Sequence, residues 1–267
     1  MWVRGLDLNV VDVGGADGKL PFVWGHPLTS SVDAEDRHGI FDWSAARADR
    51  RWVRYDARGH GRSTATRHAA DYRWANLAHD QLELLDVLGI DRVVLGGASM
   101  GAATALHAAA AQPDRVDALV LVIPPSGWDN RAPVSKRYRT GARHVLTHGV
   151  HGFEKATKRL PDPPIFTGGL APLRGGGLGC FDGLHRLPLA AALRGAAGSD
   201  LPTERQLAAL RRTPALILAW DTDGSHPVAT AERLARGFEF ADLRVARTAD
   251  DVETWPAHVG HFLADCH

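Results

Sequence analysis

An apolar run, Val93-Val94-Leu95-Gly96-Gly97-Ala98, ends at Ser99, and Met100-Gly101-Ala102 opens an alanine-rich helical stretch. A serine set between two glycines, in strand–turn–helix context, constrains the fold more than any other part of the chain. To lift a hydroxyl off the end of a strand, the backbone must turn so tightly that the residues two positions either side have to be small. Gly97 and Gly101 meet that demand, with Ala102 just beyond. A plain glycine-rich turn with Ser99 as a helix N-cap is the competing account.

The flanking chain alternates strand and helix. Leu6 to Val13 alternates apolar and polar residues, Gly14 to Gly18 reads as a turn, and Leu20 to Trp24 is an almost wholly apolar strand, so a hairpin is expected. Arg51 to Tyr55 is a further strand, Trp74 to Leu88 a helix closed by Gly89, and Ala118 to Ile123 a strand ended by Pro124-Pro125. From about Ser126 to Arg211 the strand signal disappears. Helical stretches there (134–147 and 187–193) flank a glycine-rich piece, 168–179, which lacks the Gly-Lys-Ser/Thr ending of a phosphate loop. Sheet logic resumes at Ala215 to Trp220, followed by a helix from Val228 to Arg236, a strand from Leu243 to Ala246 and a terminal helix near Trp255-Pro256. Such alternation predicts a mostly parallel sheet with helices on both faces. The expected division is a core of residues 1–125 and 212–267, with 126–211 as an inserted helical cap.

Composition narrows the function classes. Among 267 residues, 31 basic and 31 acidic side chains balance, so nothing calls for nucleic acid. No apolar run reaches the roughly 20 residues of a membrane span, and none of signal length opens the chain. Two cysteines, Cys180 and Cys266, have no metal or disulfide spacing. His144, His148 and His151 have helical spacing, but Gly149 interrupts them and no carboxylate joins, so no metal and no cofactor is expected. A cytoplasmic protein acting on a small molecule is the expectation; its oligomeric state is left open.

Three stretches, Gly25-His26-Pro27-Leu28, Tyr55-Asp56-Ala57-Arg58-Gly59-His60-Gly61-Arg62-Ser63 and Gly97-Ala98-Ser99-Met100-Gly101, together resemble the α/β-hydrolase fold superfamily, in its esterase and enol-lactonase type with a cap. The resemblance covers nearly the whole length. It implies that Ser99 is the nucleophile of an acyl-enzyme mechanism on a small ester or lactone. Met100 and Leu28 would supply the oxyanion-hole N–H groups, Pro27 replacing the family's usual glycine, and His26 would hold the loop. The acid would be Asp223, four residues before Pro227, with Asp221 the alternative. The family places its histidine in the loop after the last strand, where this chain has Thr248-Ala249-Asp250-Asp251-Val252. His261, in Gly260-His261-Phe262, matches the family's Gly-His-Phe and is the expected base, with His258 next. His226 reads as too close to Asp223 to reach over the serine. A missing base would instead give a ligand-binding or slow, degenerate member; carbon–carbon or thioester hydrolysis would use the same machinery as ester cleavage.

Overall fold

The computed structural model describes residues 1–15, 18–46, 50–175 and 177–266. A small antiparallel pair, β1 (Trp2–Val3) and β2 (Leu6–Asp7), precedes β3 (Val10–Val13), β4 (Phe22–Gly25), α1 (Val32–His38) and β5 (Trp52–Tyr55). The chain continues through α2 (Trp74–Val87), β6 (Val93–Ala98), α3 (Met100–Ala111) and β7 (Val116–Val122). Next come α4 (Arg131–Thr157), α5 (Arg186–Ala197) and α6 (Glu204–Leu207), with no strand among the described residues of 126–211. Then β8 (Ala215–Trp220), α7 (Val228–Gly237), β9 (Ala241–Ala246), α8 (Ala249–Glu253) and α9 (Trp255–Ala264) complete the chain.

Seven strands form one sheet in the order β3-β5-β4-β6-β7-β8-β9, all parallel except β3. The expected hairpin between the first two long strands is not formed. β3 pairs with β5, Val10 opposite Tyr55, and β4 inserts between β5 and β6. Burial explains the exchange. Every residue of β4 is buried, so it needs a neighbour on each edge, whereas the half-buried β3 tolerates an edge. Of the expected turn, Ala16 and Asp17 lie outside the described residues, as does Gly176 of the glycine-rich run.

Alternate residues of β8 feed two cores. Ala215, Ile217 and Ala219 join the apolar core that also holds residues of α2, α3 and α7, while Leu216, Leu218 and Trp220 join the one that holds Trp255, Val259 and Leu263 of α9. The long α4 is kinked at Gly149, whose φ of 74° no helix accommodates. It packs against α5 through Ala142, Val145, Leu189 and Leu193. Arg131, buried at the start of α4, donates to the Ser199 carbonyl at 2.7 Å and to that of Ala196, neutralising the carbonyl end of α5. Among the described residues no helix is long and apolar enough to cross a membrane.

Candidate active site

Three glycines make the elbow. A Cβ on Gly97 would lie 2.4 Å from the Gly101 carbonyl carbon, and one on Gly101 would lie 2.0 Å from the Gly25 oxygen. No side chain fits between β4, the end of β6 and the start of α3, so the backbone closes tightly and lifts Ser99 above the sheet. Ser99 takes φ 52° and ψ −109°, a conformation costing about 1–3 kcal/mol in a non-glycine residue. Its N–H is held by the Val122 carbonyl at 3.0 Å. Its hydroxyl caps nothing on α3, contrary to the N-cap alternative.

The hydroxyl instead meets His226. Ser99 Oγ lies 2.8 Å from His226 Nε2, and His226 Nδ1 lies 2.6 Å from Asp223 Oδ2. Both donor and acceptor side chains are largely buried, 13 % exposed for His226 and 11 % for Asp223. The expected carboxylate, Asp223, is therefore beside the expected nucleophile, but the histidine between them is neither His261 nor His258. Those two sit on α9, whose buried face is Trp255, Val259 and Leu263; His261 points to solvent and His258 is half-buried. The alternative acid, Asp221, is exposed, and its carboxylate accepts from its neighbour's Thr222 N–H.

The spacing that seemed to disqualify His226 is what qualifies it. Residues 223–226 form a turn closed by the His226 N–H on the Asp223 carbonyl at 3.1 Å, and Ser225 N–H donates to Asp223 Oδ1 at 2.8 Å. A turn brings side chains i and i+3 to the same side. The rigid imidazole then faces the carboxylate with one nitrogen and the serine with the other. The signal was present in Asp223-Gly224-Ser225, a turn-forming composition, with Pro227 fixing the exit. Burial alone would raise the Asp223 carboxyl. The charge and N–H of His226, with N–H groups from Ser225 and Trp220, outweigh it and hold this carboxyl well below the usual carboxylate range.

Met100 follows Ser99 at the start of α3, and neither its N–H nor that of Leu28 is taken by a backbone acceptor among the described residues. The Leu28 N–H is aimed through its own peptide. The Pro27 carbonyl accepts from His26 Nδ1 at 2.7 Å and from Ser30 N–H at 3.1 Å, and in a trans peptide the Leu28 N–H points the opposite way. Ala57 N–H donates to His26 Nε2 at 2.9 Å, which leaves the proton on Nδ1. Burial keeps His26 neutral by pushing its pKa down. Asp56 positions Ala57's loop. Its buried carboxylate accepts from Val32 N–H at 2.7 Å, Arg62 N–H at 2.9 Å and Asn9 Nδ2 at 2.9 Å. Gly61, at φ 49°, presses so close to this carboxylate that a Cβ would lie 2.2 Å from it.

Residues 126–211 touch both halves of the site. Ser126 N–H donates to the Ser225 carbonyl at 2.9 Å, Arg137 to Ser225 Oγ at 2.8 Å, and Ile165 N–H to Thr222 Oγ1 at 3.2 Å. On the other side, Cys180 N–H donates to the Thr29 carbonyl at 2.7 Å. Leu28 and Tyr138 both pack against the apolar seam between α4 and α5. His144 and His148 stack on each other at 4.3 Å; His144 faces the Gly152 carbonyl and His148 the Thr147 hydroxyl.

The family model for the alpha/beta hydrolase fold matches residues 37–138. An enol-lactonase structure from Burkholderia xenovorans LB400 superimposes with a TM-score of 0.75, at 23 % identity over 98 % of both chains. A thermophilic esterase from Thermogutta terrifontis gives 0.73, at 22 % identity over 97 % of this chain and 92 % of that one. In sequence, an epoxide hydrolase from Caballeronia sordidicola is 33 % identical over 140 residues, 52 % of this chain and 41 % of that protein. The chain thus spans about half or less of the length of the curated relatives it matches.

Proposed function

From its α/β-hydrolase fold and the contacts of Ser99, we propose that this chain is a serine hydrolase of small, largely apolar esters or lactones. The observation that carries the reading is the continuous relay from Ser99 Oγ through His226 to Asp223, at 2.8 and 2.6 Å. His226 takes the serine proton as Oγ attacks the carbonyl carbon, and Asp223 stabilises the resulting imidazolium without accepting its proton. The Leu28 and Met100 N–H groups bind the oxyanion, Met100 from the N-terminus of α3. His226 returns the proton to the leaving oxygen. Water then repeats the sequence on the acyl-enzyme, freeing the acid and Ser99. In this reading residues 126–211 act as a cap, and the apolar seam behind Leu28 and Tyr138 favours an apolar acyl group.

The name of the epoxide-hydrolase relative raises a different substrate. Serine attack on an epoxide carbon would leave an alkyl ether, which has no carbonyl for water to attack, so Ser99 could not turn over. An acyl substrate avoids that dead end.

Covalent labelling by a fluorophosphonate, read by intact mass, tests the assignment. Wild type is expected to label rapidly, Ser99→Ala not at all, and His226→Gln at least about a hundredfold more slowly. His258→Ala and His261→Ala are expected to label like wild type. Labelling that survives His226→Gln but is lost in folded His261→Ala would overturn the reading.

A further inference from the structure

We infer that Trp220 is a positioning residue for the acid, its indole N–H fixing the Asp223 carboxylate that orients His226. The inference rests on the triad reading and goes beyond it. Trp220 Nε1 donates to Asp223 Oδ2 at 3.2 Å, the same oxygen that faces His226 Nδ1. With Ser225 N–H on Oδ1, three donors hold the carboxylate, leaving its plane no freedom to turn away from the imidazole. The indole is itself immobilised. It is 1 % exposed, stacks on Trp255 of α9 at 6.0 Å, meets Phe166 edge-on at 5.5 Å and presents a T-shaped contact to His226 at 6.4 Å. By contrast, the buried indole nitrogens of Trp43, Trp52 and Trp74 have no hydrogen-bond partner among the described residues. The donor on Trp220 is thus spent on the acid, on a ring that two other elements lock in place.

A donor on Asp223 has two effects. It fixes the direction of the carboxylate, and it draws off part of the charge that Asp223 would otherwise place on the His226 Nδ1–H. Removing the indole N–H therefore lowers the rate by loosening the geometry, and moves the acid limb of the pH–rate profile upward because the full carboxylate charge then stabilises the imidazolium. The other charged and titratable groups facing the turn are Arg137 and Tyr138 from α4 and the exposed Asp221, and none of them is altered in the variants below.

Trp220→Phe and Trp255→Phe each remove one indole from the same stack, but only the first removes a donor from Asp223. Hydrolysis of p-nitrophenyl acetate is followed from pH 5 to 9 for both, with Ser99→Ala and His226→Gln in parallel. The expectation for Trp220→Phe is a fall in kcat of roughly tenfold with little change in KM, and an acid limb raised by about half a pH unit. Trp255→Phe is expected to keep the wild-type limb. Profiles for Trp220→Phe that superimpose on wild type, or shifts that are equal in both tryptophan variants, overturn the proposal and reduce Trp220 to packing. Activity persisting in Ser99→Ala or His226→Gln would instead overturn the triad reading. A measurement independent of Trp220→Phe folding uses 15N-tryptophan protein. One indole N–H resonance should shift upfield in Asp223→Ala, and failure of every indole to move overturns the proposal.

Discussion

Glu35 is the buried acid whose replacement should do most for stability. It lies on α1, 5 % exposed, with both carboxylate oxygens facing Trp24 Nε1 at 3.1 and 3.0 Å. Burial pushes its pKa up, against the pull of the Trp24 N–H and of Arg54, and with help from Asp36 and Asp56; it reaches about 8, from 4.5. The folded state thus binds this proton more tightly than the unfolded chain. The stability it contributes is complete below the unfolded value of 4.5 and is lost as pH rises towards 8. Between pH 6 and 8 each unit costs about 1.4 kcal/mol, flattening above, or roughly 3 kcal/mol from pH 6 to pH 9. Glu35→Gln keeps an oxygen for the Trp24 N–H and cannot ionise. Urea midpoints at pH 6, 7, 8 and 9 should therefore already favour the variant at pH 6, where the wild type has lost about 2 kcal/mol, and diverge further as the pH rises. Parallel curves, with no divergence between pH 6 and 9, would refute the reasoning.

Gly101→Ala should be among the most damaging single-methyl changes, because its Cβ would meet the Gly25 carbonyl at 2.0 Å. A loss of at least about 3 kcal/mol in urea unfolding, with fluorophosphonate labelling abolished, is expected. His26→Ala unclamps the Pro27 carbonyl and strands the Ala57 N–H. It should lower kcat for p-nitrophenyl acetate by about tenfold or more while KM stays within roughly twofold, and cost about 1–3 kcal/mol of stability.

Much of this architecture was legible because the elements carry strong local patterns. The wholly apolar β4 and β8, the small-residue elbow and the strandless stretch after β7 announced a parallel sheet with a helical insertion. What failed was strand order at the edge. A turn after β3 reads as a hairpin, but only the competition for interior places reveals that β4 leaves β3 and seats itself between β5 and β6. For the proposed site, spacing against the family pattern points to Ser99 and Asp223, which stand at the two ends of the hydrogen-bonded relay, and points to α9 for the base, where the relay does not run. His226 stands three residues from Asp223, a separation that reads along the chain as too short. In a turn, three residues is the distance at which side chains meet. His26 was expected to hold its loop; how it does so, by grasping the carbonyl whose own peptide carries the Leu28 N–H, required the backbone direction that no spacing supplies.

In the proposed reading the acid and the base share one turn, and this reduces the alignment of the relay to a single rigid-body relation. The Asp223–His226 spacing is written into four consecutive residues, and α9 bears on it only through the Trp255 stack that holds the Trp220 indole. Only the separation of that turn from the elbow depends on the sheet, where β7 lies between β6 and β8 and pairs in parallel with both. In that reading no residue after β9 takes part in proton transfer. Helix α8 carries a Thr248–Asp251 capping box where the family pattern would hang a histidine, so changes there are answerable to packing alone. Acid and base also form one transferable cassette, gained or lost as a unit, whose grafting needs a β8-like strand end and no partner loop.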